Sequence, residues 1–246
     1  MKSIQTLTLT LSLMVLTVSC HTMRGSVDPL HPSGTSPIVD HIMTKEQQEK
    51  LTPQDVFNDL RAGNERFAKG SLTKRDHSER IRVTATGQYP KAVILSCLDS
   101  RVPVEDVYDQ GIGDLFVARV AGNFVNVDIL GSIEYACKVS GAHLIVVMGH
   151  QNCGAIKSAV DNVELGNITE MLSKIKPAVA MSQDFAGEKK AKNDEFIRYV
   201  SENNIRHAIQ EIRDKSPIIK EMEDKGQVRI VGVFYRLTDG LLEYVK

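Results

Sequence analysis

Tryptophan is absent from this 246-residue chain, and aromatic residues make up only 5% of it. A sugar- or base-stacking platform, which needs flat rings in number, is therefore not expected. Excess charge of one sign is also lacking: 30 Lys and Arg stand against 31 Asp and Glu, a formal charge of −1. Phosphate backbones are bound by clustered positive surface, so nucleic acid is not an expected partner. Four cysteines are too few to build a disulfide scaffold at this length. The apolar stretch at residues 4–18 is shorter than the roughly 20 residues that cross a bilayer. What remains, 42% apolar and 25% charged residues, is ordinary for a globular protein with a real core.

The chain opens MKSIQTLTLTLSLMVLTVSC. A short basic start followed by an apolar stretch of this size reads as an export signal. Its end, with Ser19 before Cys20, resembles a bacterial lipoprotein signal, and Cys20 is then the lipidation site. Thr17 departs from that pattern, and cleavage of an ordinary signal with release into the periplasm is the rival reading. The domain plan is a signal at residues 1–20, a Pro/Gly-rich flexible linker at 21–43, and one folded domain at 44–246. The expected location is exported: periplasmic, or held at a membrane through a lipid anchor alone.

Thr44 to Gln47 looks like a capping box, and Thr52-Pro53 supplies an N-cap and a first-turn proline. The helix from Thr52 is expected to stop near Gly70. Residues 74–82 carry charges of both signs and read as a solvated face. The runs AVIL at 92–95 and LIVVMG at 144–149 are continuously apolar, as in strands covered on both faces of a parallel sheet. LFVARV at 115–120 and VRIVGVFY from Val228 add two more strands. Between them, Ile129, Leu130, Ile133 and Cys137 share a helical face with Gly141 as its cap, and residues 197–212 make a second helix. Thr238-Asp239-Gly240 signals a hairpin and one last strand. The fold class is α/β: a single domain around a mostly parallel sheet flanked by helices. Gly111-x-Gly113 precedes a strand instead of following one, so it is not a dinucleotide loop.

Two strand ends carry the chemistry. The first reads Ser96-Cys97-Leu98-Asp99-Ser100-Arg101, the second Gly149-His150-Gln151-Asn152-Cys153-Gly154. Ligands in open α/β sheets bind beyond the carboxyl ends of strands. Two thiolates and an imidazole form a zinc set with one position left open for chemistry. His-x-x-Cys would set two ligands one helical turn apart. A Cys97–Cys153 disulfide is the alternative, though it leaves His150, Asp99 and Arg101 without a role. Cys137 lies on an apolar helical face and reads as packing.

CLDSRVPVED, VAGN, SIEYA, MGHQNCGAI and GVFYRLTDG together resemble the β-class carbonic anhydrases, from about Thr52 to the C-terminus. The resemblance implies one zinc per subunit on Cys97, His150 and Cys153, with reversible hydration of carbon dioxide to bicarbonate by zinc-bound hydroxide. It implies that Asp99 orients the nucleophile, pairs with Arg101 when the site is open, and ligates the metal when it is closed. It implies a substrate cleft lined by Gln88, Phe116, Tyr135 and Gly154, with the two aromatics lining it across a dimer interface. A homodimer or dimer of dimers, with N-terminal helices packed on a partner subunit, is expected. Absence of tryptophan argues against one known form of bicarbonate inhibition. Hydrolysis of carbonyl sulfide or carbon disulfide on the same fold, and a non-catalytic zinc lipoprotein, are the alternatives.

Overall fold

Alternation along two short strands sets the architecture. In β1 (Ala92–Ser96) and β3 (Leu144–His150) every residue is buried. Val93 and Leu95 with Ile145 and Val147 face one apolar cluster. Ala92 and Ile94 with Leu144, Val146 and Met148 face another. Side chains of a strand point alternately to the two faces of its sheet, so both faces are covered. The computed structural model describes residues 40–246. The export signal, Cys20 and the linker up to residue 39 lie outside the described residues.

The sheet has the order β2-β1-β3-β4-β5, completed by β2 (Leu115–Arg119), β4 (Arg229–Tyr235) and β5 (Leu242–Val245). The first four strands are parallel, and β5 returns antiparallel to β4 through the turn at Thr238-Asp239-Gly240. Chain order reverses at β1: the next strand, β2, lies on one side of it and β3 on the other. The crevice between the carboxyl ends of β1 and β3 is therefore the switch point where such sheets bind ligands.

Helices follow from local chemistry. Thr44 caps α1 (Lys45–Gln48), and Thr52 caps α2 (Pro53–Ala68) with Asp55 closing a second capping box. Helix α2 ends at the Lys69 cap, just before Gly70. It packs with α4 (Val104–Val107) on one sheet face. The other face is covered by α5 (Val127–Glu134), α9 (Asp194–Lys215) and α10 (Pro217–Asp224). Helix α5 runs on into a π-helical turn, Tyr135–Val139, and Gly141 follows at φ 79°. The wider π turn places Cys137 in the core at 2% exposure, where burial raises its thiol to about 12. Three helices, α6 (Gly154–Val160), α7 (Gly166–Ser173) and α8 (Lys176–Met181), form a layer over the site's far side.

Two expectations are corrected. The charged stretch at 74–82, which includes most of α3 (His77–Thr84), is not a solvated face throughout. Arg80 is 1% exposed and pairs with Asp40 at 2.7 Å and Asp114 at 3.2 Å. Arg75 and Arg66 hold the fully buried carboxylate of Asp109. Burial pushes that carboxyl's pKa up, but Arg66, Arg75 and Thr73 outweigh it and hold it below the ordinary value. A pattern of mixed charge cannot by itself separate solvated ions from ions paired inside. The linker expected through residue 43 is the second correction. Asp40 is already fastened to Arg80, and the His41 carbonyl accepts from the same guanidinium.

Candidate metal centre

Each residue of the centre is set by a strand end. Cys97 directly follows β1, and His150 closes β3. Cys153 is the N-cap residue of α6. The His-x-x-Cys spacing therefore works through a tight turn and not along a helix. Asn152 makes that turn at φ 56°, a left-handed conformation that Asn tolerates better than most residues.

The Sγ atoms of Cys97 and Cys153 are 4.0 Å apart. With a nitrogen of His150, the three ligand atoms lie within 4.8 Å of one another, and all three residues are buried. A tetrahedral zinc with 2.3 Å bonds to sulfur separates two thiolates by about 3.8 Å, so the spacing fits a metal. Both cysteines are free, and no disulfide joins them. His150 Nδ1 meets the Gln151 carbonyl at 2.8 Å. A carbonyl can only accept, so Nδ1 carries the proton and Nε2 keeps its lone pair. That Nε2 is buried without a hydrogen-bond partner among the described residues. An orphaned imidazole nitrogen beside two sulfurs is what a metal-ligand histidine leaves when its other nitrogen is fixed by a carbonyl.

The sulfurs are differently placed. Cys153, the neighbouring His150, and the amides of Gly122 and Asp99 favour the thiolate at Cys97, against the opposing effect of burial. Gly122 N–H donates to Cys97 Sγ at 3.3 Å. The Cys153 thiol is pushed up by its neighbour Cys97 and by burial. The pair thus holds one proton between its two sulfurs until a cation displaces it.

Asp99 stands beside the cluster, its Oδ2 3.8 Å from His150 Nε2. Arg101 grips it with two bonds, Nε to Oδ1 at 2.9 Å and Nη2 to Oδ2 at 2.7 Å. The guanidinium holds the carboxyl well below the usual carboxylate range, against the opposing effect of burial. Gly154 follows Cys153 and opens α6, and a Cβ built there would meet nothing within 4 Å.

Three expected site residues are not at the cluster within one subunit. Gln88 precedes the start of β1, whereas Cys97 follows its end. It lines a cavity of about 510 Å³ with Tyr135, Val139 and His143. Phe116 and Tyr135 meet edge to face at 6.5 Å. They line a neighbouring open cavity of about 690 Å³ with Val127 and Ile129. Conversely, sequence reasoning missed Arg119, the last residue of β2. Its Nε donates to the Cys97 carbonyl at 2.9 Å and its Nη2 to the Asp99 carbonyl at 2.6 Å. A cation closing an apolar strand run was the available signal.

Comparison with known proteins agrees with this geometry. The family model described as carbonic anhydrase matches residues 92–242. Carbonic anhydrase 2 of Mycobacterium tuberculosis is 36% identical over 194 residues, 76% of this chain and 90% of that protein. A carbonic anhydrase of Mycolicibacterium smegmatis is 36% identical over 197 residues, 78% of this chain and 92% of that protein. The crystal structure of the β-carbonic anhydrase CafA of Aspergillus fumigatus superposes with a TM-score of 0.61 at 24% identity, covering 78% of this chain and 91% of that one. A tetrameric β-carbonic anhydrase of Sordaria macrospora gives 0.61 at 22% identity, covering 78% and 97%. At those identities the two structures speak for the fold.

Proposed function

Because this chain belongs to the carbonic anhydrase family and has the fold of its β class, we propose that it hydrates carbon dioxide reversibly at the Cys97–His150–Cys153 cluster, with zinc as the metal. One observation carries the reading: three buried ligand atoms within 4.8 Å of one another, with His150 Nε2 unpartnered. Among the described residues no fourth Cys or His joins the cluster, which is the pattern of a catalytic and not a closed structural site. Cys97, His150 and Cys153 would hold the zinc, whose chemistry there would be to make hydroxide available at neutral pH by lowering the pKa of water from 15.7 to about 7.

The chain's own residues do the rest. Asp99 stays ionised and accepts a hydrogen bond, which orients the nucleophile. Arg101 keeps Asp99 off the metal through its two-pronged grip, a geometry that Lys does not reproduce. Arg119 fixes the loop between them by its bonds to two backbone carbonyls. Phe116 and Tyr135 offer apolar walls suited to an uncharged substrate, and the Gln88 amide offers a donor to bicarbonate. Because these three lie away from the cluster of their own subunit, a second copy of the chain supplies them in a homodimer. The tetrameric relative is in keeping with such an assembly. Helices α1 and α2 rest on their own sheet here, and packing on the partner is part of the same proposal.

Export with lipidation at Cys20 belongs to this reading as well, on the strength of the N-terminal residues alone. Cell fractionation tests it: a Cys20→Ala protein moves from the membrane to the soluble periplasmic fraction, and wild type found already soluble contradicts it. The enzymatic reading is tested by His150→Ala and Cys153→Ala. Both lose zinc and carbon dioxide hydration together. A His150→Ala protein with stoichiometric zinc and full rate would refute the ligand assignment.

A further inference from the structure

Asn204 sits in the middle of α9, 1% exposed. Its Nδ2 donates to the Gly122 carbonyl at 2.8 Å. Its Oδ1 is buried with no partner among the described residues. An amide in a closed helix–turn contact is costly to bury, and half of this one is left unsatisfied.

Gly122 lies in the turn after β2 and is the residue whose N–H reaches the Cys97 sulfur. The turn is held in a conformation that other residues disfavour, with Gly122 at φ 84°. A Cβ there would stand 2.4 Å from Ile175 Cδ1 and 3.3 Å from Ala155 Cβ. Gly122 is thus held on both sides: its carbonyl accepts from Asn204, and its N–H donates to the sulfur.

We infer that Asn204 is a positioning residue for the metal centre, acting through Gly122 on the Cys97 thiolate. An N–H bonded to sulfur withdraws electron density from it and weakens it as a donor to the metal. A less electron-rich metal is the stronger Lewis acid, which favours ionisation of its water. Asn204 touches neither substrate nor metal; it fixes the carbonyl of the residue whose N–H makes the adjustment, and so the backbone torsions that aim that N–H. The inference rests on the reading of the cluster as a catalytic metal centre.

Asn204→Leu keeps the volume and removes the donor, and Asn204→Ala serves if the leucine protein does not fold. Each is loaded with cobalt(II) in place of zinc, and the thiolate-to-cobalt charge-transfer band is recorded beside wild type. The zinc-loaded proteins are assayed for carbon dioxide hydration. The expected result is a band moved to lower energy, a kcat about tenfold lower, as is usual when outer-shell partners of a metal ligand are removed, and a KM little changed. A band at the wild-type energy overturns the inference, whatever the rate, because loss of stability alone would not move it. A wild-type cobalt protein without any thiolate band would instead overturn the metal reading beneath it.

Discussion

The Asp99–Arg101 pair shows why a contact can be decisive for function and slight for stability. Arg101 has 54% of its side chain exposed, and exposed pairs contribute less than about 1 kcal/mol. Removing the guanidinium should leave the fold intact and free a carboxylate 3.8 Å from the metal-ligand nitrogen. Arg101→Ala is expected to keep one zinc per subunit and lose activity about 10- to 100-fold, the range for losing a partner that orients a metal site. Metal analysis and stopped-flow hydration on one sample check this, and zinc lost in step with activity would speak against it. At this scale much was readable in advance. Cys97, Asp99, Arg101, His150 and Cys153 lie in two segments of a few residues, and their chemistry is in their side-chain types. The sulfur contact of Gly122 and the place of Asn204 were not readable, and Arg119 offered only the faint signal of a cation closing an apolar run. They act on or through backbone atoms, which any residue has, and Asn204 comes from a helix far along the chain.

At the scale of elements, close approach decides more than propensity. Gly63 lies inside α2, where Ala would be favoured by about 1 kcal/mol on propensity alone. A Cβ there would stand 1.9 Å from the Tyr108 carbonyl oxygen and 2.8 Å from its carbon. Backbone cannot swing aside as a side-chain end can, so the clash wins. Gly63→Ala should destabilise by about 1–3 kcal/mol, seen as a lower Tm, and a gain in Tm would show that α2 can shift. The strands, the capped starts of α1 and α2 and the final hairpin were legible, because each depends on local residues. The π turn at Tyr135–Val139 was not, since it adds one residue to a helical period without a sequence signature. The paired arginines Arg75 and Arg80, the second buried, were hidden too, because their partners Asp40, Asp109 and Asp114 come from elsewhere in the chain.

At the scale of the whole molecule, one subunit has the Cys97–His150–Cys153 cluster at one end of β1 and the expected substrate donor Gln88 before its other end. The apolar surface around Tyr135, which lines both cavities, includes Val127 at 79%, Val139 at 68% and Tyr135 itself at 56% exposure. Val139→Asp places a charge in that surface, and burying an unpaired charge opposes association. The expected result is a lighter species in sedimentation that keeps its zinc and hydrates carbon dioxide more slowly per zinc. A dimer of unchanged stability would contradict the assignment of this face. The resemblance in sequence implied such an assembly, but periodicity could not say which apolar residues cover the core and which remain outside.

The central claim is that an open metal position, guarded by Asp99 and Arg101, does the chemistry. The most direct test is the rate of carbon dioxide hydration per bound zinc, followed from mildly acidic to alkaline pH with metal content measured at each point. Arg101 holds Asp99 well below the usual carboxylate range, so Asp99 stays charged throughout and contributes no step of its own. The rate should then rise once, through roughly pH 7 to 8, as the metal's water ionises, and level off above. A flat profile with zinc fully bound, or full activity in protein that holds no metal, would contradict the account.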